Sequence, residues 1–387
     1  MQGMLHGGEI YGESGIKYDF SVNINPLGIP EIVKRRLCEG LDRISCYPDQ
    51  DCLALRAGLS LYTGISADNI LCGSGASELI EAAFRALHPQ TVLLTAPSFS
   101  GYRHAAEGCG AQIIYHWLRR DEDFVLTERY LEDLAGKPDL AVLCSPANPV
   151  GNLIDPLLMD QIVETCGRQG TWLMIDECFL GFLQEEKKLT ARRYFQETLD
   201  HRAQARSDRT HDGTQNRSRS FGRLLVLDAF TKRFAIPGIR LGYLMSPDPD
   251  VLKMVHRQQP EWSVSVPAQI AGLAALEAGE AYLEEARALL VSERKKMTAA
   301  MKRMGLRVWP GKANYIFFSA GPDNGGRAAA VPDLAALLKE RGILIRDCEN
   351  YPGLRRGDYR AAVRLPEENE VLLRALEEVT GSVFGKE

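Results

Sequence analysis

Short apolar runs alternate with amphipathic stretches through the first two thirds of the chain. The runs lie at 91–95, 111–115, 140–144, 171–175, 224–227 and 239–244, and each ends in turn or polar residues. Continuous apolar runs of this length are typical of strands buried on both faces, as in a parallel sheet. Helical patterns at 76–87 and 156–167 lie between some of them. The pattern therefore predicts βαβ units and a sheet covered by helices.

The pattern changes after about residue 260. From Pro267 to about Met304 the chain is rich in Ala, Leu, Glu and Lys, which favours long helices. Strand patterns follow at 315–319, 343–346 and 359–363, and helical patterns at 332–340 and 367–378. We predict an α/β protein with a large domain built on a mostly parallel sheet, plus a smaller α+β domain. The predicted ranges are an N-terminal arm that joins the small domain (1–44), the large domain (45–265) and the small C-terminal domain (266–387).

The segment 185–222 interrupts this pattern. It is strongly polar, and its second half, HRAQARSDRTHDGTQNRSRSFG, contains almost no residues that form a core. We expect an exposed, partly mobile insertion here, because such composition cannot bury enough apolar surface to order the chain. A basic docking segment is the alternative.

Composition and charge narrow the function classes. A chain of 387 residues with 45% hydrophobic and 25% charged residues fits a soluble protein of about two domains. The net charge of −5 provides no general basic surface for nucleic acid, so any bound anion must be held by a local cluster. Nine cysteines without a C-x-x-C pair argue against a disulfide framework or a zinc ribbon. With no signal peptide or membrane span in the sequence, we expect a cytoplasmic protein without metal, nucleic-acid or membrane partners.

Two of the predicted strands are followed by segments suited to holding a ligand. The segment LCGSGASE places Gly73 and Gly75 in a tight turn, after which Ala76 and Ser77 present free backbone N–H groups at a helix start. Such a start binds phosphate, although a plain loop is the alternative. Asn148 lies between prolines in SPANPVG. It either points an amide into the cleft at the carboxyl edge of the sheet or simply forms a turn.

Two further strand ends carry charge. Asp176 ends an apolar strand, where a carboxylate is costly unless it is paired, and no cation lies near it in sequence. Lys232 ends the segment DAFTK, and burial there would lower the pKa of its amine and make it nucleophilic. The alternatives are a loop-capping aspartate and a surface lysine. Arg240 follows eight residues later.

Taken in this order, with Phe99 after Pro97-Ser98, these residues resemble the fold-type I, aspartate-aminotransferase-like family of pyridoxal-phosphate (PLP) enzymes. The resemblance extends from about residue 19 to 376 and is most specific in CSPANPVG and FTKRFAIPGIRLGY. It implies that Lys232 binds PLP covalently and moves the proton at the substrate carbon, that Asp176 keeps the pyridine nitrogen protonated, and that Asn148 contacts the ring hydroxyl. The implied phosphate ligands are Gly75, Ala76, Ser77, Thr231 and Arg240.

The resemblance also implies further contacts to the cofactor. Phe99 would stack on its ring, with Tyr102 as a second candidate. Tyr47, in CYPD, resembles the family tyrosine that reaches the cofactor phosphate of a neighbouring subunit, which implies a homodimer with shared active sites. Two positions depart from the family: Phe179 replaces a common tyrosine and Ala229 a common serine. We expect the loss of these hydroxyls to weaken PLP binding without abolishing it.

The substrate side is implied by two arginines and by the N-terminus. Arg360 matches the family arginine that binds the substrate carboxylate, and Arg346 matches a second arginine of the branch that uses phosphorylated substrates. The segments HGGEIYG (6–12) and DFSVNINPLG (19–28) resemble the threonine-phosphate decarboxylases, which make aminopropanol phosphate for the cobalamin nucleotide loop. This resemblance implies that His6 and Asn25 line the substrate phosphate site.

Two alternatives remain open from the sequence, and a third is not expected. Transamination, as in the related histidinol-phosphate aminotransferases, differs from decarboxylation only in which Cα bond aligns with the cofactor π-system, and no residue in one sequence fixes that alignment. Serine phosphate differs from threonine phosphate by one methyl group, which a pocket distinguishes weakly. A sensor fused to a DNA-binding module is not expected, because only about 18 residues precede the resemblance and about 11 follow it.

Overall fold

The computed structural model describes residues 7–8, 15–195, 222–320 and 333–384, with the side chains of 382–384 excepted. The strands of these ranges are β1 (Tyr18–Asp19), β2 (Ile70–Gly73), β3 (Thr91–Ala96), β4 (Gln112–Trp117), β5 (Leu140–Cys144), β6 (Trp172–Asp176), β7 (Leu224–Ala229), β8 (Gly242–Met245), β9 (Arg307–Val308), β10 (Tyr315–Ser319), β11 (Ile343–Leu344), β12 (Arg346–Asp347) and β13 (Asp358–Ala362).

Seven strands form the main sheet in the order β2-β8-β7-β6-β5-β3-β4. Neighbours from β7 to β4 are parallel, whereas β8 runs antiparallel to both β7 and β2. The predicted α/β class with a mostly parallel sheet is therefore confirmed. The run 239–244 does not form a parallel strand, because the twelve residues between β7 and β8 contain only two short helical turns, at Phe230–Arg233 and Pro237–Ile239, and no crossover helix.

Helices cover both faces of this sheet. The α-helices of the described ranges are Glu31–Glu39, Leu53–Thr63, Gly75–Leu87, Ser100–Gly108, Tyr130–Leu134, Pro156–Gln169, Glu186–Leu189, Phe230–Arg233, Pro249–His256, Val266–Arg303, Leu334–Lys339 and Pro366–Phe384. Alternate residues of β5 enter two separate apolar cores: Ala141 and Leu143 enter one, Leu140 and Val142 the other. Burial on both faces explains why the strands appear in the sequence as unbroken apolar runs.

The smaller α+β unit joins the two ends of the chain. Its antiparallel sheet has the order β12-β13-β10-β9, and β1 from the N-terminal arm pairs with β11 in parallel. Phe20, next to β1, is fully buried in the apolar core of this unit. The arm therefore contributes a strand and a core residue to the C-terminal part. The helix Val266–Arg303 is interrupted at Gly279, whose φ of +66° and ψ of −160° suit glycine. The domain limits at 44 and 265 remain predictions.

The polar segment contains an exception to the expected exposure. Within 185–195, the side chains of Glu186, Thr190 and Tyr194 are buried, so this first part is not an exposed insertion. The expectation was wrong there because Glu186 is paired with arginines that come from other parts of the chain. Residues 196–221 lie outside the described residues. Across the described ranges, no helix has the length and apolar character needed to cross a membrane.

Candidate active site

A cavity of about 430 Å³ lies at the carboxyl edge of the main sheet. The segments that follow β3, β5, β6 and β7 form one side of it, and residues of the arm and of the small sheet form the other. This is the edge at which open α/β sheets bind ligands. The predicted residues that line the cavity are Ala76, Ser77, Phe99, Asn148, Asp176, Thr231, Lys232, Arg240, Arg346 and Arg360.

Asp176, the last residue of β6, is 6% exposed and is held in a fixed orientation. Its Oδ1 accepts a hydrogen bond from the backbone N–H of Cys178 at 2.9 Å, and its Oδ2 accepts one from the Tyr102 hydroxyl at 2.6 Å. Burial, and then the Asp176 carboxylate, raise the pKa of the Tyr102 phenol, so the phenol stays a donor. Tyr102, the second candidate for stacking on a cofactor ring, lines the cavity and donates to Asp176.

Phe99 lies between β3 and the helix that carries Tyr102. It lines the cavity and meets the Tyr102 ring edge-on, with 5.5 Å between the ring centroids. Tyr102 therefore supports both the predicted stacking residue and the predicted acid.

Lys232 lies on the helical turn Phe230–Arg233 that directly follows β7. Removal from water, and then the positive charges of Arg360 and Arg240, lower the pKa of its amine to about 8. A substantial fraction of this amine is uncharged near neutral pH, which a nucleophile requires. Its environment therefore suits covalent attachment to a carbonyl group.

The start of the helix Gly75–Leu87 and Arg240 form an anion cradle. A Cβ at Gly75 would lie 2.7 Å from Nη2 of Arg240, and one at Gly242 would lie 2.9 Å from the backbone nitrogen of Ala76. Only glycine allows these approaches. Among the described residues no carboxylate pairs with Arg240, whose guanidinium donates to the Pro237 carbonyl at 3.2 Å. Backbone N–H groups at a helix start beside an unpaired guanidinium fit a phosphate.

Two buried arginines, Arg346 and Arg360, also line the cavity. Arg360 donates to Oδ1 of Asn148 and, at 2.9 Å, to the Ser21 carbonyl, while its Nε has no hydrogen-bond partner in the described structure. Arg346 donates to Oδ1 of Asn350 at 2.8 Å and lies over the Tyr351 ring. No carboxylate of the described ranges pairs with either guanidinium. Buried cations without acidic partners are costly, so this side of the cavity is suited to an anionic ligand.

The arm contributes residues that the sequence did not single out. Ser21 and Asn23 line the cavity, and Ser21 Oγ accepts a hydrogen bond from the backbone N–H of Gly8 at 2.9 Å. Asn23 is 2% exposed, and its Oδ1 has no hydrogen-bond partner among the described residues. Val22 lines the cavity as well and residues 21–22 form a bend, so no strand alternation in the sequence marks which arm residues face it.

Asn25 requires a correction. It does not line the cavity: its Nδ2 donates to the Arg233 carbonyl at 2.9 Å, and its Oδ1 accepts from the Leu27 N–H at 3.0 Å. Its own backbone N–H donates to the Lys232 carbonyl at 2.9 Å. Because these contacts occupy the amide, Asn25 supports the lysine turn rather than a substrate. His6 lies outside the described residues, although the adjacent Gly7 lines the cavity.

The structure also locates Tyr47 and the two positions that depart from the family, Phe179 and Ala229. Tyr47 is 80% exposed and packs on Trp262 at 4.8 Å between centroids, away from the cavity of its own chain. Phe179 lines the cavity and meets the Tyr315 ring edge-on, and Ala229 is buried at the end of β7. Neither position offers a hydroxyl to a ligand.

The fold and the site together define a class. A lysine amine, a buried acid and a phosphate cradle at the carboxyl edge of a mostly parallel sheet are the arrangement of a fold-type I PLP enzyme. The model of the family described as Aminotransferase class I and II matches residues 16–376, and the chain belongs to this family.

Named relatives include enzymes of two kinds. Threonine-phosphate decarboxylase of Salmonella typhimurium is 34% identical over 362 residues, which cover 93% of this chain and 90% of that protein. Histidinol-phosphate aminotransferase of Methanosarcina mazei is 30% identical over 359 residues, or 92% of this chain and 86% of that protein. The crystal structure of histidinol-phosphate aminotransferase from Clostridium acetobutylicum superimposes with a TM-score of 0.80 at 25% identity, covering 95% of this chain and all of that one.

The cofactor is PLP. The cavity fits it, because the Gly75–Arg240 cradle suits its phosphate and Asp176 and Lys232 both line the same space. Lys232 would hold its carbonyl carbon, Asp176 its pyridine nitrogen and Asn148 its ring oxygen. When bound, PLP supplies an electron sink for charge that develops at the substrate Cα.

Proposed function

We propose that this chain decarboxylates L-threonine O-3-phosphate to (R)-1-aminopropan-2-yl phosphate and carbon dioxide. The observation that carries the proposal is the pair of buried guanidiniums, Arg346 and Arg360, that no acid of the described structure neutralises. A substrate with one carboxylate and one phosphate would pair both. The 34% identity to a threonine-phosphate decarboxylase over 93% of the chain supports the same reading.

In this proposal, binding of the carboxylate, binding of the phosphate and delivery of the proton belong to different residues of the chain. Arg360, fixed by Asn148 and the Ser21 carbonyl, binds the substrate carboxylate, and Arg346 with Asn23 faces the substrate phosphate. Two anchors at opposite ends of a small substrate set its rotation about the reacting carbon. This rotation decides which Cα bond breaks, and about 1.4 kcal/mol of preference is already tenfold in rate. Lys232 then delivers the proton to Cα after the carboxylate has left.

The second candidate is transamination of histidinol phosphate. The structural likeness to the Clostridium acetobutylicum enzyme favours it. Histidinol phosphate has a phosphate but no carboxylate, so it would pair only one of the two buried arginines. Serine phosphate is a further candidate substrate for decarboxylation, because it carries both a carboxylate and a phosphate and lacks only the methyl group of threonine phosphate. Its product would be ethanolamine phosphate.

We also propose that the chain works as a homodimer with shared active sites, in the biosynthesis of cobalamin. The dimer proposal rests on exposed apolar side chains near Tyr47, which are those of Leu41, Ile44 and Leu53, close to it in sequence, and of Trp262, whose ring packs on it. A second copy that covers this patch would bring Tyr47 toward the cofactor phosphate of its partner. Sedimentation of the purified protein tests the dimer, and a monomer that retains full activity would contradict shared sites.

Product analysis with three substrates tests the function. The PLP-loaded protein is incubated separately with threonine phosphate, serine phosphate and histidinol phosphate, with and without 2-oxoglutarate. We expect carbon dioxide and an amino-alcohol phosphate from threonine phosphate without any 2-oxoglutarate. Glutamate formation from histidinol phosphate and 2-oxoglutarate, with no carbon dioxide from the other two, would contradict decarboxylation and support the second candidate.

A further inference from the structure

The residue that follows the cofactor-binding lysine is a buried arginine. Arg233 is 2% exposed and is among the largest buried side chains of the described structure. It occupies the last position of the helical turn Phe230–Arg233, and its guanidinium does not line the cavity that Lys232 enters. A buried guanidinium needs a purpose-built set of acceptors, because an unpaired charge in the interior is strongly destabilising.

Both terminal nitrogens of the Arg233 guanidinium donate hydrogen bonds to groups of the protein. Nη2 donates to Oδ2 of Asp228 at 2.7 Å, and Nη1 donates to Oε1 of Glu186 at 2.9 Å and to the Tyr62 hydroxyl at 2.7 Å. Asp228 lies in β7, four residues before Lys232, and also accepts from the Tyr243 hydroxyl of β8 at 2.8 Å. The guanidinium is therefore tied to the main sheet on one side and to Glu186 on the other.

Glu186 joins this cluster to two other segments. Its Oε1 also accepts from Arg192 at 3.1 Å, and its Oε2 accepts from Arg287 in the helix Val266–Arg303 at 2.9 Å. Space around the cluster is tight, because a Cβ at Gly181 would lie 2.3 Å from Cζ of Arg233. Arg233 is therefore held by Asp228 of the sheet and by Glu186, which Arg287 of the helix Val266–Arg303 and Arg192 hold in turn.

The backbone of the same turn is held by Asn25 of the N-terminal arm. Asn25 donates through its backbone N–H to the Lys232 carbonyl and through its side chain to the Arg233 carbonyl. A turn of four residues has little helical stability of its own, because nucleation of a helix is unfavourable. External contacts must therefore determine where the lysine amine lies.

We propose that Arg233 is a positioning residue for Lys232, which sets the lysine amine against its cofactor by anchoring the turn to Asp228 and Glu186. The role is additional to the proposed function and rests on it only in that Lys232 carries PLP. Displacement of a reacting group by about 1 Å can cost roughly a hundredfold in rate, so such an anchor acts on catalysis without touching the reacting atoms.

Arg233→Lys tests this role, with Arg192→Lys as the matched control. Lysine keeps the positive charge near Asp228 and Glu186 but cannot bridge both carboxylates, since it lacks the planar fork. Arg192→Lys changes a guanidinium on the same Glu186 carboxylate and leaves both Arg233 ion pairs in place. Each variant is loaded with PLP, and the pH titration of its visible absorbance, kcat and KM are measured.

For Arg233→Lys we expect kcat to fall about tenfold or more, with KM nearly unchanged because Arg346 and Arg360 are intact. We expect the midpoint of the absorbance titration to move by about half a pH unit or more, whereas Arg192→Lys keeps the wild-type values. The titration needs no substrate, so it gives the same answer whichever phosphorylated amino acid is used. Equal titrations and equal kcat in both variants and the wild type would overturn the proposal.

A second variant, Glu186→Gln, tests the proposal if Arg233→Lys does not fold. Glu186→Gln keeps the shape and acceptor oxygen of the Glu186 side chain but removes one of the two charges that hold Arg233. We expect a smaller shift of the titration midpoint in the same direction and a lower kcat at unchanged KM. A lower melting temperature with the wild-type titration and kcat would show that the cluster only stabilises the fold, and would equally overturn the proposal.

Discussion

The hydroxyl of Tyr102 donates a 2.6 Å hydrogen bond to Oδ2 of Asp176, inside the cavity that also receives Lys232. Tyr102 stands three residues after Phe99, on the first turn of a helix, and is 1% exposed. Both oxygens of Asp176 thus have a donor from the protein before any ligand binds. Such an acid keeps its orientation, which a protonated pyridine nitrogen requires of its partner.

Tyr102→Phe should weaken PLP binding without preventing it. The substitution removes one hydrogen bond to a carboxylate, worth about 1.5–3 kcal/mol, and keeps the ring that packs on Phe99. We expect the dissociation constant of PLP to rise by about tenfold or more, measured by fluorescence titration of cofactor-free protein. Tyr115→Phe, on the outer strand β4, is the control and should leave the constant unchanged. An unchanged constant in Tyr102→Phe would mean that the Cys178 N–H alone holds Asp176.

The strand ends of the site were predictable because they depend on local pattern. Asp176, Lys232 and Asn148 each follow an apolar run buried on both faces, and the carboxyl ends of parallel strands meet at one edge. The contacts that support them were not predictable in the same way. Tyr102 meets Asp176 across 74 residues of chain, and Glu186 meets Arg233 across 47. Such pairings depend on the packing of helices against the sheet, which a single sequence does not encode locally.

The arm shows a second limit of sequence reasoning. Asn23 and Asn25 lie two residues apart in the same motif, and the motif alone does not say which amide faces the cavity. The structure places Asn23 there and binds Asn25 to backbone groups of the lysine turn. The polar composition of 185–222 was likewise misleading for Glu186, since Arg233 and Arg287 from distant segments, together with the nearby Arg192, pair with its carboxylate.

Lys232→Ala should abolish the covalent attachment of PLP. The wild-type protein is expected to be yellow, and reduction with borohydride should increase its mass by one bound cofactor on the peptide that contains residue 232. The variant should lose the absorbance and the mass increase together, because its alanine has no amine. Lys253→Ala, which removes an exposed amine paired with Asp250, should retain both. A retained mass increase in Lys232→Ala would assign the attachment to another lysine.

The rate of PLP attachment to cofactor-free protein should rise with pH, with a midpoint near 8. Burial lowers the pKa of the Lys232 amine to about 8, and only the uncharged amine attacks a carbonyl. Since the Arg360 charge contributes to this lowering, Arg360→Met should move the midpoint to higher pH. The rate is followed by stopped-flow absorbance between pH 6 and 10. A midpoint that stays in place in Arg360→Met would show that the Arg360 charge does not contribute to the lowering.

Arg360→Met should also reduce kcat/KM strongly for any substrate with an α-carboxylate. Loss of a buried charged anchor costs about 2–5 kcal/mol, or roughly 30-fold and more in kcat/KM. Arg346→Met should reduce kcat/KM for phosphorylated substrates and spare slow turnover of an analogue without phosphate. Steady-state kinetics with threonine phosphate and threonine separate the two. Equal losses for both substrates in both variants would contradict the division of anchors between the two arginines.

Glu177→Gln should change how stability depends on pH. Glu177 is 3% exposed, and burial raises the pKa of its carboxyl from 4.5 to about 7 in the folded protein. The folded state therefore holds this proton more tightly than the unfolded chain between those pH values, so the wild-type free energy of unfolding falls as pH rises through this window and is level above it. Glutamine cannot ionise, and it keeps an acceptor for the Ala191 N–H, which lies 2.6 Å from the carboxylate. Relative to the wild type, the variant should gain up to about 3 kcal/mol in its free energy of unfolding between pH 5 and pH 8, measured by urea unfolding.

Glu185→Gln, which changes an exposed neighbour of Glu186, is the control and should follow the wild-type curve. Parallel curves for Glu177→Gln and the wild type would show that Glu177 ionises alike in the folded and unfolded chains.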